Sequence, residues 1–194
     1  KTKKNQQQQR HQTHETHRSE PKIHEVEITL NEAFQGGKRI VNLQQDFDTK
    51  KIEVNIPKGV ENGTKIRLPA GNRSSETFLK IKIKENDFFK LEKYDLHCEI
   101  PITDYEAVLG TDVKIPTLSG SSINLKVPPH THSGKTFRLK NLGMPKLKSD
   151  EKGDMYVKAK IVIPKYLTEK EMELYSQIKE LRHGKDNVRE FIGI

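Results

Sequence analysis

Cysteine, tryptophan and long apolar runs are scarce or missing in this sequence. Its 194 residues include one cysteine, no tryptophan and 6% aromatic residues. The single cysteine, Cys98, excludes an internal disulfide and a zinc site built from several cysteines. No apolar stretch approaches the roughly 18 residues of a membrane-spanning helix, and the mean hydropathy is −0.82. The sequence therefore predicts a protein without a membrane partner, in a reducing, cytoplasmic location.

Apolar residues are also few, while charged residues are abundant and unbalanced. Hydrophobic residues make up 32% of the chain, and the formal net charge is +8. This low content of hydrophobic residues favours small hydrophobic cores over one large core. The excess of positive charge favours an anionic partner such as nucleic acid, acidic lipid or an acidic peptide, although a basic protein without such a partner is equally compatible. The first residue is Lys1 rather than Met, so we expect a fragment or a processed product.

The first 21 residues form a polar, low-complexity segment that includes four consecutive glutamines. Such a segment buries too little apolar surface to offset its ordering entropy, so we predict a disordered linker over residues 1–21. His11, His14 and His17 recur every third residue, but nothing nearby stabilises a helix. A solvated tail is therefore favoured over a metal site, and no metal or cofactor is predicted.

From Ile23 onward the pattern is that of a β protein. Val26, Ile28 and Leu30 alternate with polar residues, and similar alternation recurs near residues 52–56, 79–83, 123–127 and 155–163. Alternation with period two predicts half-buried strands, which we expect to be antiparallel. Cys98 lies in such a run and is interpreted as a small strand residue rather than a nucleophile.

Three sequence blocks occur twice in the same order. Residues 32–36, 56–68 and 79–83 resemble residues 106–110, 127–139 and 157–161. An internal repeat of this kind predicts two copies of one structural unit. The predicted fold is mainly β, with two tandem, similar, small β-sandwich or barrel-like domains at 22–93 and 94–166.

After Pro164 the period changes to that of a helix. Thr168 and Glu171 fit a capping box, and Gly184 is a plausible stop. The sequence thus predicts a C-terminal helix and tail over 167–194, which could pack on its own domain or on a partner.

The combined pattern resembles the C-terminal substrate-binding region of DnaJ-type co-chaperones, of the heat-shock-40 class. The motifs that carry the resemblance are Leu-Asn-Glu-Ala-Phe-Gln-Gly at 30–36, Ile-Pro-Lys-Gly-Val-Glu-Asn-Gly at 56–63, Ile-Arg-Leu at 66–68, Gly-Lys-Thr-Phe-Arg-Leu at 134–139 and Gly-Asp-Met at 153–155. The match covers about residues 22–182. With a short connection between Leu43 and Ile52 and one cysteine, the chain resembles the zinc-free class, which includes curved-DNA-binding relatives.

The resemblance implies a binding protein, not an enzyme, and no catalytic constellation is visible. Relatives bind unfolded or hydrophobic client polypeptides by strand addition beside an apolar groove. They deliver these clients to a DnaK-type chaperone, which assists protein folding, and they take part in the stress response. The positions that match the groove are Val26, Val41, Leu43 and Phe89. Ordinary core packing is the alternative for each of them.

One further site follows from the resemblance, and another follows from the apolar residues of the C-terminal segment. Lys38 and Arg39 match a basic cluster that docks the acidic tail of the DnaK-type partner, the alternative being a solvated strand face. A homodimer through the C-terminal segment would use Met172, Tyr175, Ile178, Leu181, Phe191 and Ile192. Two other classes stay open: a nonspecific DNA-binding protein, which contacts DNA weakly through its charge, and a purely structural dimer module.

Overall fold

The computed structural model describes residues 21–45, 48–68, 76–147 and 149–183. Most of the predicted linker, as well as Phe191 and Ile192, lies outside these ranges. The elements are β1 (Lys22–Ile28), α1 (Leu30–Gln35), β2 (Gly37–Gln45), β3 (Asp48–Ile56), β4 (Lys65–Arg67), β5 (Thr77–Ile83), β6 (Lys90–Glu92), β7 (Asp95–Thr103), α2 (Asp104–Leu109), β8 (Thr111–Pro116), β9 (Ser122–Val127), β10 (Thr136–Leu139), β11 (Met155–Val162) and α3 (Glu169–Arg182). The mainly β fold class is confirmed.

The predicted repeat is visible in the order of the elements. A strand, a six-residue helix, a two-stranded hairpin, a short strand and a longer strand follow one another twice: β1 to β5, then β7 to β11. Even single backbone hydrogen bonds recur. The N–H of Gly63 donates to Ile81 O at 2.7 Å, and the N–H of Gly134 donates to Ala159 O at the same distance. The two sequence copies therefore fold into two copies of one structural unit.

Both short helices begin with the same capping box. Thr29 and Thr103 accept from the backbone N–H of Glu32 and Glu106, whose carboxylates accept in turn from the threonine N–H. This reciprocal arrangement satisfies donors that the first helical turn leaves without partners. Leu30, which the alternating pattern assigned to a strand, is instead the first residue of α1.

The strands are not all antiparallel, so that prediction was wrong in part. The first sheet has the order β1-β5-β4, and β1 pairs with β5 in parallel from Lys22↔Thr77 to Ile28↔Ile83. Alternation along a strand reports which face is buried but does not report the direction of the neighbouring strand. The hairpin β2–β3 is antiparallel and closes at the pair Gln45↔Asp48, so its connection is short, as predicted.

The structure divides into two compact units. The described residues of the first unit fall within Lys1–Leu96, Leu118–Gly120 and Lys140–Met155, and those of the second within His97–Thr117, Ser121–Leu139 and Tyr156–Ile194. The segment 140–155, which follows β10 in sequence, thus belongs to the first unit. The domain bounds at 22–93 and 94–166 stay a prediction.

Each unit has a small apolar core, as the low hydrophobic content predicts. In the first unit, the fully buried residues include Ile28, Val60, Leu79 and Ile81. In the second, they include Ile102, Ile115, Val127 and Val157. Cys98 is buried and burial raises its pKa to about 11, which fits the predicted role as a strand residue.

Helix α3 begins at the predicted capping box. Thr168 accepts from the N–H of Glu171, and the helix ends at Arg182; the predicted stop, Gly184, lies outside the described residues. Of the helices in the described ranges, none has the length and apolarity needed to cross a membrane.

Candidate functional site

The first unit contains a cavity of about 480 Å³ that is lined by both apolar and polar residues. Leu30, Ile83, Phe89 and Leu91 supply the apolar lining. The remaining lining residues are polar or charged: Asn62, Lys84, Glu85, Asn86 and Lys90. Ligand sites in proteins commonly combine an apolar concave surface with a few polar groups at its edge. The cavity is therefore the candidate functional site of this unit.

Two side-chain amides hold segments that line this cavity. Asn86 Oδ1 accepts from the backbone N–H of Phe88 at 3.0 Å and of Phe89 at 2.8 Å, which folds the loop before β6 into a tight turn. The two phenyl rings meet edge to face, with centroids 4.8 Å apart. Asn62 Oδ1 accepts from the N–H of Ile83 at 3.1 Å at the end of β5. The turn before β6 and the end of β5 are thus each held by hydrogen bonds from an asparagine side chain.

The structure brings one of the predicted groove residues to the cavity. Phe89 lines it, although only 7% of the residue is exposed. Val26 is half-buried on β1. Val41 and Leu43, on β2, are 7% and 2% exposed and belong to the core of the hairpin. For these two residues, the structure favours core packing, and their role in a groove stays a prediction.

Sequence reasoning missed Leu30, Ile83 and Leu91 as cavity residues. Leu30 was assigned to a strand, and Ile83 was counted only as part of an alternating run. The capping signature Thr29-x-x-Glu32 could have identified the helix that begins at Leu30. No sequence signal brings these three residues, from separate elements, to one cavity.

Lys38 and Arg39 lie next to each other at the start of β2, but their surroundings differ. Lys38 Nζ is 2.7 Å from Glu53 Oε1, and its side chain is 77% exposed. Arg39 Nη1 donates to both carboxylate oxygens of Glu32, at 3.0 and 2.9 Å. Glu32 also accepts from the Thr29 N–H, and this hydrogen bond, together with the guanidinium, lowers the pKa of its carboxyl. Arg39 is therefore already engaged with the cap of α1.

One face of the β1–β5 pair carries a ladder of opposite charges. Lys80 Nζ lies 2.7 Å from Glu25 Oε1, and Lys82 Nζ lies 2.8 Å from Glu27 Oε1. These hydrogen bonds lower the pKa of both carboxyl groups. The ladder makes this face close to neutral, although the chain as a whole is basic.

The predicted dimerisation residues of α3 fall into two groups. Met172, Ile178 and Leu181 are exposed to 53%, 55% and 67%. Tyr175 is half-buried, and its hydroxyl donates to Asp104 Oδ2 at the start of α2. This hydrogen bond raises the pKa of Tyr175 to about 12. Leu174, which the sequence analysis did not select, is 47% exposed.

Known proteins match this chain over most of its described residues. The family model for the DnaJ C terminal domain matches residues 23–164. The chain is 36% identical over 142 residues to the chaperone protein DnaJ of Rhodopseudomonas palustris (strain BisB18), which covers 70% of this chain and 38% of that protein. It is 36% identical over 146 residues to the chaperone protein DnaJ of Pelagibacter ubique (strain HTCC1062), covering 72% and 39%. The chain thus spans about two fifths of the length of these relatives. By this match it belongs to the DnaJ C-terminal domain family.

Proposed function

We propose that this chain is the client-binding part of a DnaJ-type co-chaperone, which binds unfolded or hydrophobic polypeptides and delivers them to a DnaK-type chaperone. The observation that supports the proposal is the cavity of about 480 Å³ in the first unit, to which Phe89 and three aliphatic residues contribute the apolar lining. The leucine, isoleucine and phenylalanine side chains in its lining offer apolar surface to any sequence that exposes apolar side chains. The proposed function is therefore binding rather than catalysis, with a cytoplasmic location as the matching prediction.

Open strand edges beside the cavity support binding of an extended client. In the sheet β1-β5-β4, β1 is an edge strand, and among the described strands β2 pairs with β3 alone. The end of β1 at Ile28 precedes Leu30 by two residues, and Ile28 O accepts from the Lys84 N–H at 2.8 Å, so the edge of β1 leads to residues that line the cavity. An edge strand offers backbone groups that pair with any extended peptide. Affinity would thus come from the backbone, and selectivity from the cavity.

The test changes one wall of the cavity without opening the core. Ile83 is half-buried at the end of β5, so Ile83→Ser removes apolar lining at moderate cost to the fold. We expect the variant to capture a chemically denatured protein at least about tenfold more weakly, since one buried aliphatic side chain contributes about 1.5–3 kcal/mol.

The matched control is Ile23→Ser, at the opposite end of the same strand pair, where the side chain is 48% exposed. This control should capture the client like the unmodified chain. Equal capture by all three folded proteins would contradict the assignment of the cavity as the client site.

For the DnaK-type partner, we infer that its acidic tail docks on Lys38 and Arg39. Lys38 is mostly exposed, whereas Arg39 must exchange the carboxylate of Glu32 for that of the tail. Lys38 and Arg39 would each make a charge-assisted hydrogen bond to a carboxylate of the tail. For Arg39, the tail carboxylate would replace the carboxylate of Glu32. A peptide ending in an acidic stretch should bind at low salt, and Lys38→Glu combined with Arg39→Gln should abolish binding. Lys65→Glu, on exposed β4, is the control; an unchanged affinity in the double variant would exclude this site.

Self-association through α3 is the third part of the proposal. The helix has 14 residues, none of which is buried, and isolated helices of that length are marginal in water. A second copy that covers the exposed apolar residues would stabilise it and would place two client sites in one particle, which raises avidity. Truncation after Pro164 should give a folded monomer by sedimentation, and a full-length chain that is monomeric at tens of micromolar would contradict the dimer.

Nonspecific DNA binding is the alternative function, and a salt titration separates it from client binding. Contacts to phosphates weaken steeply as salt rises, because binding releases counterions. Capture in an apolar cavity changes little over the same range. Client capture that collapses between 50 and 200 mM salt, roughly the range over which phosphate contacts are lost, would favour the alternative.

A further inference from the structure

The helix α2 has an apolar exposed face that its repeat counterpart α1 lacks. Counted from the capping threonine, Tyr105 and Leu109 of α2 occupy the positions of Asn31 and Gln35 in α1. Tyr105 and Leu109 are 53% and 75% exposed, and Val108 between them is 55% exposed. Since the two helices share their cap and their place in the repeat, the fold does not require apolar residues there. A separate role of this face explains them better.

The fifth helical position supports the same contrast. It is apolar in both helices, but in α1 the Lys152 ammonium lies 5.9 Å from the ring centroid of Phe34, which is half-buried. Val108, at the same position in α2, is exposed. Phe34 of α1 is thus partly covered within its own unit, whereas Tyr105, Val108 and Leu109 of α2 each stay more than half exposed.

A polar contact holds α3 beside this face. Tyr175 donates its hydroxyl proton to Asp104, the first residue of α2, and it is the one half-buried residue of α3. At 3.6 residues per turn, Leu174, Ile178 and Leu181 lie within about 60° of one another around the helix, and Tyr175 borders this group beside Ile178. We call these three residues the α3 stripe. With Tyr175 turned toward α2, the α3 stripe stays exposed in the same unit as the apolar face of α2.

We propose that Tyr105, Val108 and Leu109 of α2 form, together with the α3 stripe, one continuous surface on which a second copy of this chain docks. This inference rests on the self-association proposed above and names a surface, α2, that lies outside the C-terminal segment. Tyr175 and Asp104 position the two helices and do not themselves need to touch the partner.

The area argues for a second copy that covers both helices rather than α3 alone. A stable interface buries about 800 Å² per partner, of which roughly 450 Å² is apolar. Full burial of one aliphatic side chain removes roughly 60–120 Å² from water, so the three partly exposed side chains of the α3 stripe supply roughly 200 Å². The face of α2, with its tyrosine, supplies roughly 250 Å² more. The three residues of the α3 stripe alone fall short of the apolar area of a standard interface, and the α3 stripe together with the face of α2 reaches it.

The charges of α3 favour a two-fold, antiparallel arrangement of the copies. Glu169 and Glu171 lie in its first turn, while Lys179 and Arg182 lie in its last turn. These positions also suit the helix macrodipole, and exposed ion pairs add little affinity, so we expect the charges to bias the orientation rather than to set the dissociation constant. In an antiparallel pair, the acidic end of one helix faces the basic end of the other. A two-fold axis pairs the same surface of both copies, as a closed dimer requires.

The first experiment replaces the α2 face with the residues that α1 carries. Tyr105→Asn with Leu109→Gln imports the residues of Asn31 and Gln35, which the same helix already tolerates in the first unit. Sedimentation equilibrium of the full chain should give a dissociation constant at least tenfold higher for this variant. Ile40→Thr, which removes an apolar side chain exposed to 67% in the first unit, is the control and should leave the constant unchanged.

The outcomes separate this inference from the dimer on which it rests. If Leu174→Gln with Ile178→Gln dissociates the chain but the α2 variant does not, the dimer stands and the role of α2 is refuted. If the unmodified chain is monomeric, both fail. If the α2 variant keeps its dissociation constant but loses capture of a denatured protein, the face serves clients and this proposal is overturned.

A cross-linking experiment tests the orientation. In an antiparallel pair centred between Gln177 and Ile178, two copies of residue 177 lie near the axis, whereas two copies of residue 181 are offset by roughly 10 Å along the helix. Gln177→Cys should therefore form an intermolecular disulfide, and Leu181→Cys should not, because a disulfide spans about 4.4–6.8 Å between Cα atoms. The buried Cys98 stays out of the reaction. Efficient cross-linking of both variants would refute the antiparallel arrangement.

Discussion

Gly153 lies where a side chain has no room, and its replacement tests the packing of the segment 140–155 on the first unit. A Cβ atom built on this glycine would lie 2.0 Å from Tyr94 O and 2.5 Å from Tyr94 C. Real Cβ contacts essentially never fall below 3.0 Å. The Gly153→Ala backbone must therefore move by about 1 Å away from a carbonyl group that is itself part of the turn before β7.

The cost of this movement follows from the hydrogen bonds that Gly153 makes. Its N–H donates to Met144 O, and its carbonyl accepts from the Gly143 N–H, both at 2.9 Å. Two weakened hydrogen bonds cost about 2 kcal/mol, and overpacking against fixed backbone adds about 1–3 kcal/mol. We expect Gly153→Ala to lower the free energy of unfolding by about 3–5 kcal/mol, which corresponds to a fall in melting temperature of about 6–20 °C for a chain of this size.

Gly120→Ala is the control, because it isolates the conformational penalty of alanine from the steric one. Gly120 has φ of +84°, but nothing lies within 4 Å of its Cβ position. Alanine there costs about 1–2 kcal/mol through its left-handed backbone alone. Urea denaturation followed by circular dichroism measures both variants. If Gly153→Ala is no more destabilising than Gly120→Ala, the close approach to Tyr94 does not constrain the fold.

Three further predictions concern the helix caps and the α2–α3 contact. Thr103→Ala should lower the free energy of unfolding by about 1 kcal/mol in urea denaturation, because it removes the cap of α2. Thr111→Ala is the control and should cost less, because the Thr111 hydroxyl lies 3.4 Å from Glu106 Oε1, a longer hydrogen bond. Hydrogen bonds from Thr103 lower the pKa of Glu106 below its ordinary value of 4.5, so the stability it contributes is present above about pH 4.5 and is lost as the pH falls further. Glu106→Gln keeps an acceptor in the cap but does not titrate, so its stability should fall less between pH 6 and pH 3; an equal fall would contradict this account. Tyr175→Phe should leave the melting temperature of the β units unchanged but should increase hydrogen exchange of α3 amides, and an unchanged exchange rate would show that the contact with Asp104 does not hold the helix.

The repeat, the β-strands and the C-terminal helix could be predicted because their signals are local or duplicated. The capping box at Thr168 and Glu171 depends on residues three apart, so its chemistry can be read directly from the sequence. The same signature at Thr29 and Thr103 would have identified α1 and α2. These helices have only six residues each, too few to show a helical apolar period against the alternation of the strand before them.

Pairing direction and the candidate site depend on contacts between distant residues, which no local pattern reports. Lys22 and Thr77 are partners in a parallel pair although 55 residues separate them. Likewise, Leu30 and Phe89 meet at one cavity through the fold alone. Phe89 could be selected by its resemblance to a family motif, whereas Leu43 matched the family equally well and is 2% exposed. A motif identifies a position but does not report whether its side chain faces a ligand or the core.

The membership of residues 140–155 in the first unit has a consequence for the order of synthesis. A ribosome releases Leu96 long before it has made this segment, and at about 5–20 residues per second the delay is on the order of several seconds. During that time Tyr94 O cannot accept the hydrogen bond that Met144 N–H later donates at 2.8 Å. The backbone of Pro145, which lies close to Gly59 in the folded chain, has also not yet been made. Those contacts of the first unit therefore form only after most of the second repeat has been translated.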